Sequence, residues 1–295
     1  LCAGLLRAIG NSFMLLVFLL LSSGLNILLD LLFIAKMDMG VQGAAVATVI
    51  SQGVSVLLCI LYVFAKVKLL LPEKKHFKVG QHLYWELFSQ SICMGLMSSI
   101  VSAGSVVLQY GINGLGTLVI AGHTAARKMF MFTDMPLLSM ASAGSTFVSQ
   151  NCGAGQPDRV RKGMKEIYLY SVVVAVLAVL LMRAAAPWMV AFVSGSSEPV
   201  VLENGARYLL WNAPFYAVLG VLLSTRYALQ SLGNKVLPLF SSVIELVGKI
   251  IFVLLLIPKF AYNAVNLCEP IIWCFMAAYL VTVYLHDPFV FPKKK

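Results

Sequence analysis

The chain has 295 residues, of which 60% are hydrophobic and only 12% are charged, and its formal net charge is +10. Soluble domains carry roughly 25% charged residues, so this composition excludes a soluble protein. Apolar runs such as residues 13–35 do not alternate in polarity, which excludes a transmembrane β-barrel. Several runs reach the roughly 20 residues that a helix needs to cross a bilayer. We therefore expect an all-α polytopic membrane protein.

Eight apolar segments are predicted to be transmembrane helices. They lie at about residues 13–35, 40–65, 87–112, 116–149, 166–193, 206–231, 236–258 and 263–285. The fourth is too long for one perpendicular crossing and should tilt, protrude or break near Pro136. Arg183 and Pro187 should interrupt the fifth segment, and Pro214 and Pro270 should bend the sixth and the eighth.

The basic residues predict the orientation, because they concentrate in alternate loops along the chain. One side holds Arg7, Lys66, Lys68, Lys74, Lys75, Lys78, Arg159, Arg161, Lys162, Lys165, Lys235 and Lys293 to Lys295. The opposite side holds Lys36, Arg183, Arg207 and Lys259. Loops rich in lysine and arginine stay in the cytoplasm, so both ends of this chain should be cytoplasmic. The positive charge then reflects topology and contact with anionic membrane lipid, and we expect no nucleic acid partner.

The longest hydrophilic segment, residues 66–86, is predicted to be a cytoplasmic linker between two helical lobes. Residues 6–11 (LRAIGN) recur beyond it as residues 229–234 (LQSLGN), an offset of 223 residues at which Lys36 also matches Lys259. This internal repeat assigns residues 1–65 to the last two helices of an N-lobe, residues 87–285 to a complete six-helix C-lobe and residues 286–295 to a basic cytoplasmic tail. Four further helices should then precede Leu1 in a twelve-helix parent.

Polar residues within the apolar segments are the candidate functional residues, because a charge in hydrocarbon costs about 2.5 to 3.5 kcal/mol on insertion scales. Asn26 and Asp30 stand four residues apart, which places both side chains on one helix face. Such a face can bind a cation or exchange a proton, and Thr48 on the next segment would add a hydroxyl oxygen. Alternatively, Asp30 hydrogen-bonds a neighbouring helix.

A second candidate cluster lies in the last two segments. Glu245 and Lys249 are also four residues apart, in the order that favours a helical ion pair, and Glu269 on the following segment would complete the cluster. Either a structural ion pair or a titrating pair beside a cavity fits this spacing. Arg127 and Asp134 lie two turns apart on one face of the fourth segment, as cavity charges or as a simple charge balance.

The remaining polar residues give weaker signals. Arg226 should extend its side chain towards the cytoplasmic surface, and His123 should pack within its helix. The histidines and cysteines lack the spacing of metal ligands, so the sequence predicts no metal site and no disulfide. It also shows no arrangement of a nucleophile with a base, so we expect no catalytic residues and no enzyme.

Four stretches together resemble one transporter family: residues 6–11 (LRAIGN), 25–30 (LNILLD), 40–48 (GVQGAAVAT) and 148–155 (VSQNCGAG). They are similar to the multidrug and toxic compound extrusion (MATE) family over its helices five to twelve. The resemblance implies two six-helix lobes and an antiporter in which Na⁺ or H⁺ entry drives the export of cationic, often aromatic, compounds. It implies no cofactor beyond that coupling ion.

The resemblance also implies roles for single residues. The family's N-lobe cation site combines an Asn and an Asp one turn apart, a Thr on the next helix and an Asp on the first helix. Asn26, Asp30 and Thr48 match the first three in type and order, whereas the fourth would lie upstream of this chain. Some members instead use carboxylates on helices seven and ten, but residues 87–112 and 206–231 contain no Asp or Glu.

We therefore expect a monomeric, multi-pass protein of the cell membrane with a small, drug-like substrate. Three alternatives remain at this stage. The first is a flippase for lipid-linked saccharides, in which Arg127, Lys128 and Lys249 would bind pyrophosphate. The second is a membrane enzyme, and the third is an N-terminally truncated fragment without activity of its own.

Overall fold

A computed structural model of the protein describes residues 2–71, 73 and 80–292, with backbone alone for residues 2 and 3. Every regular element in these ranges is helical, as expected for the all-α class. The chain divides into two compact units, Leu1–Tyr84 and Trp85–Lys295, called here the first and the second unit. Several residues of the predicted linker and tail, Lys74, Lys75, Lys78 and Lys293 to Lys295, lie outside the described residues.

The first unit contains three helices: α1 (Cys2–Ala8), α2 (Ser12–Asp30) and α3 (Gly40–Lys66). The Asn11 side chain caps α2 by accepting a hydrogen bond from the backbone N–H of Met14 at 3.4 Å. After Asp30 the helix widens into one π-helical segment, Leu31–Lys36, before the chain reverses into α3. α2 and α3 pack along each other, and a short 3₁₀ turn, Lys68–Leu70, follows α3.

The second unit holds most of α4 and all of the later helices. These are α4 (Gln81–Asn113), α5 (Thr117–Gly153), α6 (Pro157–Ser194), α7 (Pro199–Asn212), α8 (Tyr216–Ser231), α9 (Val236–Ile251), α10 (Ile257–Phe260) and α11 (Tyr262–Leu285). A π-helical segment, Phe252–Leu256, joins α9 to α10. α5 lies at the centre of this unit, where it packs against α6, α7 and α8.

Seven segments of the described chain are long and apolar enough to cross a membrane. They are Ser12–Lys36, Gly40–Lys66, Gln81–Asn113, Pro157–Ser194, Pro199–Ser231, Val236–Phe260 and Tyr262–Leu285. These confirm the polytopic membrane class and coincide with seven of the eight predicted segments. The eighth predicted segment corresponds to α5, which is helical but less apolar. Because α5 packs against three other helices, less of its surface contacts the hydrocarbon of the bilayer, and fewer of its residues need to be apolar. The number of eight membrane crossings is therefore approximate.

The prolines disrupt the helices less than the sequence suggested. α5 runs without a break through Pro136, and α6 runs through both Arg183 and Pro187, so the predicted interruption of the fifth segment is wrong. In hydrocarbon an unpaired backbone group has no water to bond, which favours continuing the helix around one missing hydrogen bond. Pro214 does separate two helices, since a 3₁₀ turn at Ala213–Phe215 lies between α7 and α8.

The internal repeat is visible in the backbone. Gly10 and Gly233, 223 residues apart, have φ angles of 84° and 86° in the turns that precede α2 and α9. Among the described residues, the non-glycine positions with positive φ are Asp38 at 50° and Ala261 at 47°, again 223 residues apart. Such angles are rare for residues with a Cβ atom, so their recurrence at one offset indicates that α2 with α3 and α9 with α11 are equivalent helix pairs.

Equivalent asparagines form hydrogen bonds that connect the two helices of each pair. Asn11 donates from Nδ2 to the hydroxyl of Tyr62, near the end of α3, at 3.0 Å. Asn234 donates from Nδ2 to Asp287 Oδ2, just beyond the end of α11, at 2.9 Å. In each pair an asparagine just before the first helix is therefore hydrogen-bonded to a residue near the end of the second helix.

Two glycines allow α5 and α7 to pack closely. A Cβ atom on Gly122 would lie 2.5 Å from the carbonyl oxygen of Val201, and one on Gly205 would lie 2.9 Å from the carbonyl oxygen of Gly122. Small residues at a helix crossing permit this backbone contact inside a membrane protein. The crossing brings the side chains of α5 and α7 together one turn further along.

The first part of the tail packs against α6. Arg161 donates to the carbonyl oxygen of Val290 at 2.9 Å, and its guanidinium lies 5.6 Å from the ring centre of Phe291. Asp287 Oδ1 accepts hydrogen bonds from the backbone N–H groups of Phe289 and Val290. The Val290 side chain is buried, so this part of the tail belongs to the folded core.

Candidate functional site

Asn26 and Asp30 lie on α2 with polar atoms that lack partners. Asn26 Nδ2 and Asp30 Oδ1 are buried and have no hydrogen-bond partner among the described residues. Asn26 lines a cavity of about 360 Å³ within the first unit, together with Thr48 and the serines Ser22 and Ser51. A buried polar atom without a partner costs about 1 to 3 kcal/mol, so this helix face is suited to a ligand that supplies the missing contacts.

Thr48 lines the same cavity. Its hydroxyl proton is donated to the carbonyl oxygen of Ala44 at 2.9 Å, which leaves lone pairs of the hydroxyl oxygen for another donor or a cation. Asp30 is the last residue of the regular α2 helix, directly before the π-helical segment. Such segments often occur at functional sites because they shift the register of the helix locally.

In the second unit, Glu269 on α11 is the centre of a buried polar cluster. Arg127 on α5 donates from Nη1 to both carboxylate oxygens, at 2.8 Å to Oε1 and 2.7 Å to Oε2. Tyr208 on α7 donates to Oε2 at 2.5 Å and accepts from Arg127 Nη1 at 3.1 Å. Glu269 is only 5% exposed, and its carboxylate is held by charge-assisted hydrogen bonds from two other helices.

Lys249 on α9 extends this cluster. Its Nζ lies 2.8 Å from Glu245 Oε1 and 3.9 Å from Glu269 Oε1, and the residue is 2% exposed. The two cations Arg127 and Lys249 and the two anions Glu245 and Glu269, called here the charge quartet, balance each other. Buried charges persist in a low-dielectric interior only when they are paired in this way.

A layer of rings lies beside the charge quartet. His123 Nδ1 is 3.2 Å from the Tyr262 hydroxyl, and its ring packs edge-on against Tyr208 with centroids 4.9 Å apart. His123, Arg127 and Glu269 line a cavity of about 240 Å³ whose other walls include Gln109. This cavity therefore contains hydrogen-bond donors and acceptors next to an ion pair.

The structure changes the predicted pairing of Arg127. Its ion pair is with Glu269 on α11, whereas Asp134, two turns along α5, makes no ion pair among the described residues.

Arg226 also differs from expectation: it is 8% exposed, and its Nε and Nη2 atoms have no hydrogen-bond partner in the described chain. Packing within the second unit, rather than extension towards a surface, therefore determines where Arg226 lies. The predicted Glu245 and Lys249 pair is present with the expected one-turn geometry.

Tyr208 and His123 were not predicted to belong to the functional site. Tyrosine is common in membrane helices, so Tyr208 carries no charge signal. His123 stands four residues before Arg127 on α5, a spacing that places both side chains on one helix face but does not indicate their partners. Their partners lie on other helices, so only the packing of α5, α7 and α11 reveals that they belong to the cluster.

Comparisons with known proteins identify the family. A sequence model of the family described as MatE matches residues 94–255. The chain belongs to the MATE family. This MATE chain is 30% identical over 220 residues to the probable multidrug resistance protein YpnP of Bacillus subtilis, covering 73% of the chain and 48% of YpnP. It is 23% identical over 294 residues to the multidrug export protein MepA of Staphylococcus saprophyticus, covering 95% of the chain and 62% of MepA.

A solved structure shares the fold. The crystal structure of a MATE protein in complex with MaL6 superposes with a TM-score of 0.87 at 20% sequence identity, covering 96% of this MATE chain and 65% of that protein. The chain thus spans about half to two thirds of the length of the relatives that it matches.

Proposed function

We propose that the protein is a secondary active antiporter that exports cationic or aromatic drugs and toxic compounds in exchange for Na⁺ or H⁺. The observation that carries this proposal is the buried carboxylate oxygen Asp30 Oδ1, which has no hydrogen-bond partner among the described residues and lies one turn from Asn26 on a membrane helix. The drug-like substrate class is supported by the relatives, since YpnP is described as a probable multidrug resistance protein and MepA as a multidrug export protein.

The first unit supplies chemistry suited to a coupling cation. The carboxylate of Asp30, the amide oxygen of Asn26 and the hydroxyl oxygen of Thr48 are hard oxygen donors of the kind that alkali and alkaline-earth cations prefer. The carboxylate by itself can take a proton in place of a metal cation. Other helices of the full-length protein would complete the coordination.

Exchange requires that cation and substrate favour different conformations of the transporter. A ligand shifts a conformational equilibrium only by the difference in its affinity for the two states. In our proposal, a cation at Asp30 favours the conformation that releases the drug, and loss of the cation favours the conformation that binds it. Movement of one lobe against the other then alternates access to the two sides of the membrane.

The proposal includes a topology and an assembly state. The protein is a monomer of the cell membrane, and both ends of this chain face the cytoplasm. Residues at the start of α6, including Arg159, Lys162 and Lys165, would face the cytoplasmic leaflet, where basic side chains are attracted to anionic lipid. We propose no partner other than the drug-like substrate, the coupling ion and the surrounding lipid.

The coupling role is tested with Asp30→Asn in the full-length protein, reconstituted in proteoliposomes with the aromatic cation ethidium as the substrate. We expect ethidium export driven by an imposed Na⁺ or pH gradient to be lost, because the neutral amide cannot exchange a cation. Separate Na⁺ and pH gradients identify the coupling ion. The matched control is Asp38→Asn, which changes an exposed carboxylate in the turn after α2. Export by Asp30→Asn at the wild-type rate under both gradients would contradict the proposal.

A flippase for lipid-linked saccharides is less well supported. Binding a pyrophosphate group requires cations that are not already neutralised. Arg127 and Lys249 are both paired with buried glutamates, and Lys128 is exposed on α5. Competition between lipid pyrophosphate and ethidium for the purified protein tests this alternative. The same transport assay on residues 1–295 alone tests whether the chain is active without other helices.

A further inference from the structure

The repeat places Asn26 and Lys249 at equivalent positions. Gly10 and Gly233 precede the two helix pairs with φ angles of 84° and 86°. Asp38 and Ala261, the non-glycine residues with positive φ among the described residues, recur at the same offset beyond the first helix of each pair. Because the register agrees on both sides, no insertion intervenes, and the residue 223 positions after Asn26 is Lys249. The same offset relates Ser22 to Glu245.

The surroundings of these equivalent positions differ in a specific way. In the first unit, Ser22 and Asn26 are neutral and line a cavity of about 360 Å³. In the second unit, the equivalent residues are a carboxylate and an ammonium in direct contact, with Lys249 Nζ 2.8 Å from Glu245 Oε1. Where one helix pair has space beside an amide, the other has a buried positive charge.

The second unit is built to accommodate that charge. Glu269 Oε1 lies 3.9 Å from Lys249 Nζ, so the ammonium has a carboxylate on each of two helices, Glu245 on α9 and Glu269 on α11. Gly104 on α4 leaves room for the lysine stem, since a Cβ there would lie 3.2 Å from Lys249 Cδ. The ammonium therefore lies between two carboxylates, as a bound monovalent cation would.

We infer that the ammonium of Lys249 acts as a covalently tethered cation in the second unit. It occupies the position equivalent to the one that a free coupling cation takes near Asn26 in the first unit. This inference rests on the cation role proposed for Asn26 and Asp30. Its consequence is that the second unit takes up no free coupling ion. The number of ions exchanged in each transport cycle is then set by the first unit, and the carboxylates of Glu245 and Glu269 form a cation site that is permanently filled.

The inference is tested by removing the tether. Lys249→Asn installs the residue of the equivalent position and leaves the charge quartet with one uncompensated negative charge, which a free cation should neutralise. In the full-length protein, we expect this variant to bind one more radioactive sodium ion per chain than the wild type, or to gain a stabilisation by acid that the wild type lacks. Adding Glu245→Gln should remove the gain. Lys128→Asn, at an exposed lysine of α5, is the matched control and should gain nothing.

A Lys249→Asn protein that folds and gains neither Na⁺ nor H⁺ dependence overturns the inference. Because the gain is measured as ion binding that depends on Glu245, it is independent of whether Asp30 couples transport. Failure of the proposed function and failure of this inference are therefore distinguishable.

A reciprocal variant keeps the test decisive if Lys249→Asn does not fold. Asn26→Lys places an ammonium one turn from Asp30, where it should act as a tethered cation in the first unit. We expect ethidium to bind as in the wild type, whereas its export no longer responds to Na⁺ or pH gradients. Asn113→Lys, which adds the same charge at an exposed asparagine at the end of α4, is the matched control and should keep the gradient response. An unchanged gradient response in Asn26→Lys, in a protein whose response is abolished by Asp30→Asn, also overturns the inference.

Discussion

Tyr208 donates a hydrogen bond to Glu269 across 2.5 Å, and both residues are almost completely buried. This contact joins α7 to α11, and Arg127 on α5 bonds to both partners. Three helices that are distant in sequence are therefore fixed at one point by a single carboxylate. The strength of that junction can be measured by removing one contact at a time.

Tyr208→Phe should destabilise the protein by about 1.5 to 3 kcal/mol, because a hydrogen bond to a buried charged group is lost while the ring is kept. The measurement is thermal or denaturant unfolding in a fixed detergent. Tyr170→Phe, at an exposed tyrosine on α6, is the matched control and should leave stability unchanged. Equal effects of the two substitutions would show that the contact contributes nothing.

Arg127→Gln should destabilise the protein by about 3 to 5 kcal/mol, because it removes the principal partner of a buried carboxylate. The double variant with Glu269→Gln should be more stable than Arg127→Gln alone, since the unpaired charge has then been removed. Unfolding of all four proteins in a double-mutant cycle measures this coupling. If the two substitutions were simply additive, the ion pair would not be a unit.

An exposed ion pair on α7 provides the comparison for that cycle. Arg207 contacts Glu203 one turn away, and the exposed fractions of the two side chains are 38% and 68%. Glu203→Gln should change stability by less than about 1 kcal/mol, because an exposed pair loses little on disruption. A large loss of stability in this variant would mean that the measured effects come from removing any charge, whether or not the ion pair is buried.

Gly122→Ala should prevent the close packing of α5 and α7, because the added methyl group would meet the carbonyl oxygen of Val201 at 2.5 Å. Backbone cannot move aside as a flexible side chain can, so we expect a loss of several kcal/mol or a failure to fold. Gly95→Ala is the matched control, since no atom lies within 4 Å of the position of its new methyl group. Yield of monodisperse protein and unfolding temperature distinguish the two variants.

Asn234→Ala should release the tail from the second unit. The substitution removes the 2.9 Å bond to Asp287, whose other oxygen orders the backbone of Phe289 and Val290. Hydrogen exchange in residues 286–292 should become faster, while exchange in the middle of α6 stays slow. Asn204→Ala, which alters a half-buried asparagine bonded to its own helix, should leave exchange in the tail unchanged.

The helices could be predicted from sequence because length and apolar composition suffice to identify a membrane span. α5 was predicted as one of the eight apolar segments, although it is less apolar than the seven segments that could cross a membrane by length and composition. The repeat was detected from a Gly-Asn turn and a lysine, and the positive φ angles of Asp38 and Ala261 now give it a structural basis that no residue identity indicated. The course of α6 through Pro187 was not predictable, because neighbouring helices determine whether a proline ends a helix.

The charged site could be predicted only where its partners are close in sequence. Glu245 and Lys249 were paired correctly because one turn of helix fixes their distance. Arg127 was assigned to Asp134 on the same helix, whereas its partner, Glu269, lies on α11, 142 residues later. Sequence spacing carries no information about such contacts, and a tyrosine such as Tyr208 gives no charge signal at all.

The pairing of Arg127 with the last long helix has a consequence for biosynthesis. α5 is not among the segments apolar enough to cross a bilayer by themselves, and an arginine opposes insertion by about 2.5 to 3.5 kcal/mol. Glu269, which neutralises that arginine, leaves the ribosome only after α6, α7, α8 and α9 have been made. During synthesis α5 therefore depends on the translocon, or on contact with newly inserted neighbours, until α11 arrives to complete the ion pair.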